Sequence, residues 1–182
     1  MKRQDSQDQA SRVRALLVRL QGPLIRYALQ ITGDLERARD VVQDAFLQLC
    51  SEDLNALKDH LEPWLFTVCR NRALDVRRKE DRMNPLSETM PEPDAGVPDV
   101  LISLQQTEDF HSALKILGTL PANQQEVIRL KFQNELSYKE ISQVTGLSVT
   151  NVGFLIHAGL KTIRQSMLAH ARENSQVLRR VK

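Results

Sequence analysis

At 182 residues the chain has room for one domain of common size or two small ones. Its aromatic content is only 4% and its apolar residues are mainly Leu, Val, Ile and Ala at helical spacings, so an all-α protein is expected and no strand-like alternation competes. A net charge of +2 conceals an uneven distribution: 14 basic against 12 acidic residues over 1–80, 1 against 6 over 81–108, and 10 against 5 over 109–182. Two basic regions flanking an acidic connector suggest that each could face phosphate while the connector avoids it, although a solvated fluctuation of charge gives the same numbers.

The opening MKRQDSQDQASR lacks the apolar core of a signal peptide, and nowhere do about 18 uncharged apolar residues run together, so a cytoplasmic protein is expected. Cys50 and Cys69 have no CxxC spacing and no paired histidines, which argues for reduced thiols rather than a zinc site or a disulfide.

The first predicted helix, about 9–31, carries an apolar stripe of Val13, Leu16, Leu17, Leu20, Leu24, Tyr27 and Ala28. The second, about 34–50, opens after Thr32-Gly33 with Asp34 and Glu36 near its positive end, and its inward set is Leu35, Ala38, Val42, Ala45 and Leu49. Pro63 in the first turn opens a third, about 62–80, and its stretch Trp64 to Lys79 has an aromatic first half and five basic residues against one acid. Such a helix can grip a nucleic-acid backbone and stack a base, or it can be a solvated helix with a core tryptophan. From Asp81 to Asp99, Pro85, Pro91, Pro93 and Pro98 exclude a continuous helix and a core, which marks a linker. Helices near 102–118 and 122–133 follow, separated by Leu120-Pro121.

The most informative stretch is LSYKEISQVTGLSVTNVGFLIHAGLKTIR, Leu136 to Arg164. Ser137-Tyr138-Lys139-Glu140 is a capping box, Gly146 supplies a permissive turn backbone, and Ser148 offers a second N-cap. The expected inward set is Ile141, Val144 and Leu147, then Val152, Ile156, Leu160 and Ile163. Thr150, Asn151, Phe154, His157 and Lys161 stay free on the other face. This is the pattern of a helix-turn-helix, whose second helix enters the DNA major groove by its N-terminal end. A plain helical hairpin in a bundle is the competing reading.

The segment Asp40-Val41-Val42-Gln43-Asp44-Ala45-Phe46, then WLFTVCRNRALDVRRK, a Pro-rich break, Leu120-Pro121 and the helix-turn-helix stand in one order. Together, from about Leu16 to Arg164, they resemble the extracytoplasmic-function sigma factors of bacterial RNA polymerase. The resemblance implies sigma domain two at 9–80, a flexible acidic linker at 81–101 and a four-helix sigma domain four at 102–172, with a basic tail at 173–182. It implies core polymerase and promoter DNA as partners, an anti-sigma factor as a further candidate, and neither cofactor nor small-molecule substrate. Asp40, Gln43, Asp44 and Phe46 fall at the family's polymerase-docking positions, although helical spacing turns Phe46 inward.

For the downstream promoter element the resemblance points to Arg70, Asn71, Arg72, Arg77 and Arg78, with Trp64 as base platform or core residue. Asn55, Lys58, Asp59 and His60 are candidates for a base pocket in the preceding loop. For the upstream element it points to Ser148, Thr150, Asn151, Phe154 and His157 on bases, with Lys139, Lys161 and Arg164 on phosphates. Gly153, Phe154, Leu155, Ala158 and Gly159 depart from the basic pattern of the family, so weak promoter binding by the isolated second domain is expected. In the family the connector threads the polymerase channels, which suits its negative charge. A free-standing dimeric helix-turn-helix regulator is the alternative. An enzyme is not expected, because His60, His111, His157 and His170 are scattered and no Gly-rich phosphate loop precedes a helix.

Overall fold

The computed structural model describes residues 2–57, 60–83 and 108–180, with the side chains at 11–57, 60–83 and 110–169. All regular structure among the described residues is α-helical, and the chain divides into two compact units. The first contains α1 (Lys2–Thr32), α2 (Leu35–Cys50), the short α3 (Leu54–Leu57) and α4 (Leu61–Met83). The second is built from α5 (Glu108–Gly118), α6 (Ala122–Phe132), α7 (Tyr138–Thr145) and α8 (Val149–Arg180). Helix α3 occupies what the sequence presents as a plain loop, and most of the Pro-rich linker lies outside the described residues.

In the first unit the α1–α2 corner is closed locally. Gly33 adopts φ 70°, its N–H reaches Leu29 O at 2.8 Å, and Asp34 then caps α2 by accepting from the Arg37 N–H at 2.8 Å. The helices close on a core of Leu20, Leu24, Tyr27 and Ala28 from α1, Ala38, Val42, Ala45 and Leu49 from α2, and Leu65, Phe66, Cys69 and Ala73 from α4. Tyr27 and Phe66 meet edge to face at 5.4 Å, an arrangement that adds about 0.5–1.5 kcal/mol to area burial. The predicted stripe of α1 is deepest at its C-terminal end: Leu17 is exposed, and Val13 and Leu16 are half-buried. Leu35 on α2 is likewise only half-buried.

In the second unit Pro121 ends the path of α5 and opens α6. At the end of α5 the Thr119 and Leu120 N–H groups donate to Ile116 O at 3.0 Å and Leu117 O at 3.2 Å, and Gln125 Nε2 donates to Gly118 O at 3.0 Å and to Leu120 O beyond it at 2.8 Å. Its buried residues include Ile116, Leu117 and Leu120, then Val127, Ile128 and Leu130, and finally Ile141, Val152, Leu155 and Ile156. Between α6 and α7, Glu135 takes the left-handed conformation at φ 58°.

Candidate nucleic-acid interface

The helix-turn-helix is fixed by side-chain caps at each end of its turn. Ser137 Oγ accepts from the Glu140 N–H at 3.3 Å, and the Ser137 N–H donates to Glu140 Oε2 at 2.7 Å, completing the capping box. Gly146 ends α7 at φ 75° with its N–H on Ser142 O, and Ser142 Oγ donates across the turn to Leu147 O at 2.6 Å. Ser148 Oγ then accepts from the Asn151 N–H at 3.2 Å, so the start of α8 is capped as well. The consequence is a short, braced entry into α8, with one donor of its first turn, the Asn151 N–H, satisfied by a serine.

Ser148, Thr150, Asn151, Phe154, His157, Lys161 and Arg164 are all exposed on α8 or its cap, and Lys139 is exposed on α7. Phe154 stands out at 68% exposure, a large apolar side chain among polar neighbours. The inward set differs from the one expected. Val152 and Ile156 are buried and Ile163 is half-buried, but Leu160 is 40% exposed, and Leu155 and Gly159 take the inner positions beside it. Two of the five residues that dilute the charge of this helix therefore face the core and were never available to phosphate. Only Gly153, Phe154 and Ala158 remain as departures on the accessible side. Gly153 is not required by crowding: a Cβ there would lie at an ordinary contact distance of 3.5 Å from the Tyr138 ring, and Lys131 Nζ stands 5.7 Å from the centre of that ring.

In the first unit, α4 carries its basic residues along the second half. Asn71 and Arg78 are exposed, and Arg70, Arg72 and Arg77 are half-buried. Arg78 pairs with Asp75 at 3.3 Å. Trp64 is half-buried. Of the loop candidates, His60 is exposed, Asn55 accepts from Arg12 Nη1 at 2.9 Å, and Lys58 and Asp59 lie outside the described residues.

On α2, Asp40, Gln43 and Asp44 are exposed on one side, whereas Phe46 is buried at 6%. The burial of Phe46 agrees with its spacing, which turns it about 200° from Asp44, and corrects the docking position that the family resemblance implies for it.

A groove of about 280 Å³ separates the exposed sides of α2 and α4, and charges of both signs line it from each helix: Arg37, Asp40 and Asp44 from α2, and Arg72, Asp75 and Lys79 from α4. Two ion pairs bridge it: Arg72 Nη1 to Asp44 Oδ2 at 2.7 Å, and Arg37 to Glu80. Neither pair has a local sequence signal, since the partners of the first are 28 residues apart. On α4, burial pushes the Cys69 thiol up to about 12, against a smaller lowering by the Arg72 guanidinium. Cys50, in contrast, is exposed. Among the described residues no group of three or more His, Cys, Asp or Glu could hold a metal ion, and no helix is long and apolar enough to cross a membrane.

Comparison with known proteins finds a family match in each unit. Residues 16–83 match the family model of Sigma-70 region 2, and residues 110–163 match that of Sigma-70, region 4. The chain is 29% identical over 164 residues to the ECF RNA polymerase sigma factor SigL of Mycobacterium tuberculosis, covering 87% of this chain and 90% of that protein. It is 27% identical over 135 residues to the ECF RNA polymerase sigma factor SigM of Bacillus subtilis, covering 69% of this chain and 77% of the relative. Among solved structures, the sigma factor RpoE in complex with the anti-sigma factor NepR from Bartonella quintana shares the fold at a TM-score of 0.64, with 23% identity over 86% of this chain and 96% of that one. With both regions present in order, and with relatives of this kind matched across most of its length, the chain belongs to the sigma-70 family as an extracytoplasmic-function RNA polymerase sigma factor.

Proposed function

We propose that this sigma factor directs promoter-specific initiation through three surfaces. Asp40, Gln43 and Asp44 on α2 meet an arginine-rich surface of core polymerase. Arg70, Asn71, Arg72, Arg77 and Arg78 on α4 hold the downstream promoter strand, with Trp64, His60 and Asn55 near its bases. Ser148, Thr150, Asn151, Phe154 and His157 read the upstream element, while Lys139, Lys161 and Arg164 contact its phosphates. The observation that carries this reading is the doubly capped α7–turn–α8 with its exposed polar face, in a chain whose other unit exposes a basic helix. A free-standing dimeric regulator is disfavoured, because it gives no reason for region 2 to precede region 4.

Work is done here by binding alone. Opening the downstream element takes bases out of the stack at a cost of a few kcal/mol, which phosphate contacts and a base pocket offset. Neither unit needs to bind DNA tightly by itself, since polymerase holds both at once and the second contact becomes intramolecular. A protein with this role belongs in the cytoplasm with polymerase. The complex of RpoE with NepR suggests an anti-sigma factor as a partner for this chain too. Run-off transcription with purified core polymerase tests the proposal: specific transcripts are expected with no other sigma factor added, and transcription only in the presence of a second sigma factor would leave the regulator reading.

A further inference from the structure

The Asp44–Arg72 ion pair joins two residues to which the proposed function gives different partners. Asp44 belongs to the surface for polymerase and Arg72 to the surface for the promoter strand, yet Arg72 Nη1 donates to Asp44 Oδ2 at 2.7 Å. Both side chains are about half exposed, 42% for Arg72 and 51% for Asp44, so each can be reached by an outside ion. An approaching phosphate meets a guanidinium already engaged and a carboxylate that repels it. An approaching arginine of a partner meets a carboxylate already neutralised. Arg37, which lines the same groove, does not replace Arg72, because it pairs with Glu80.

We propose that the Asp44–Arg72 ion pair is an autoinhibitory contact: in the free protein it withholds Arg72 from DNA, and a cationic surface docking on Asp44 releases Arg72 to a phosphate of the promoter strand. This rests on the roles proposed above for α2 and α4. Coupling of this kind is reciprocal, so DNA bound at Arg72 equally frees Asp44 for the partner. Its size is set by what a surface ion pair contributes, which corresponds to about two- to fivefold in affinity. The device therefore biases the order of assembly rather than acting as an on–off gate.

The test is a double-mutant cycle on the full chain, read by fluorescence anisotropy with a labelled single-stranded oligonucleotide at low salt and without polymerase. Asp44→Asn should tighten binding about two- to fivefold, Arg72→Gln should weaken it, and the double variant should match Arg72→Gln alone. An equal gain from Asp44→Asn in the Arg72→Gln background would reveal only the removal of a negative charge and would overturn the proposal, as would no gain at all. In the polymerase arm, Arg72→Gln should bind core more tightly by a similar factor, and unchanged core affinity would overturn the coupling. If Asp44→Arg leaves core affinity intact, the assignment of Asp44 to polymerase fails instead, and the oligonucleotide cycle still judges the ion pair by itself.

Discussion

Gly159 on α8 lies so close to α6 that a Cβ at this position would stand 2.5 Å from Ile128 Cδ1 and 3.3 Å from Leu120 Cδ1. Both side chains are buried, at 5% and 6%, and have little room to withdraw. Alanine would gain about 1 kcal/mol of helix propensity, while overpacking costs roughly 1–3 kcal/mol. Gly159→Ala should therefore destabilise the second unit by about 1 kcal/mol. Gly153→Ala, six residues earlier in the same helix, should stabilise it by up to about 1 kcal/mol, since its new methyl meets only the Tyr138 ring at ordinary contact distance. Urea melts of the two variants would check this, and equal midpoints would show that α6 and α8 can part without cost.

A second stability prediction concerns Glu135, an exposed residue in the left-handed region at φ 58°. That conformation costs a residue with a Cβ roughly 1–2 kcal/mol, whereas glycine adopts it freely but loses about 0.4–1 kcal/mol through the entropy of the unfolded chain. The difference favours Glu135→Gly by up to about 1 kcal/mol, seen as a higher Tm, with Glu135→Ala showing no such gain. A lower Tm for the glycine variant would mean that the Glu135 side chain contributes more than its backbone costs.

The two thiols should behave differently. Cys50 is exposed and Cys69 is fully buried, so a thiol reagent should modify one group in the native protein and two after denaturation. Burial lifts the Cys69 pKa from 9.0 to about 12. Above the lower value the unfolded chain releases this proton while the folded chain keeps it, so the unfolded state binds fewer protons and stability falls as pH rises. Between these two pKa values the loss attributable to Cys69 is roughly 1 kcal/mol per pH unit. Cys69→Ala should show a shallower decline over that window, whatever its stability at neutral pH. An identical slope would indicate that Cys69 ionises alike in both states.

What the sequence disclosed and what it hid differ in range. The caps at Ser137, Gly146 and Ser148 were legible because each is written within about four residues and acts on its own backbone. The inner face of α8 was misjudged at one step: hydropathy counts Leu160 as a core residue and gives Gly159 no weight, although a glycine is what allows α6 to approach. Phe46 illustrates a different conflict. Its spacing turned it inward, the family resemblance placed it on the polymerase surface, and the geometry sides with the spacing. The pairing of Asp44 with Arg72 was invisible for a third reason, since nothing in either helix records which residue of the other will stand opposite it.

The surfaces assigned to promoter and polymerase can be separated by two substitutions. Asn151 is exposed, and it joins the cap of α8 through its main-chain N–H rather than its side chain. Asn151→Ala should therefore leave the fold and core affinity unchanged while removing a side chain able to pair with a base edge, a loss of about 1–3 kcal/mol in discrimination at one base pair. Asp44→Arg places a like charge against an arginine-rich partner and against Arg72 as well, so core affinity should fall substantially. Intrinsic binding of the upstream element by α8 should not change, because Asp44 lies in the other unit. The decisive measurement is core affinity beside upstream-element binding for both variants. A joint loss of both activities in Asn151→Ala would place the reading face elsewhere on α8, and unchanged core affinity in Asp44→Arg would move polymerase docking off this side of α2.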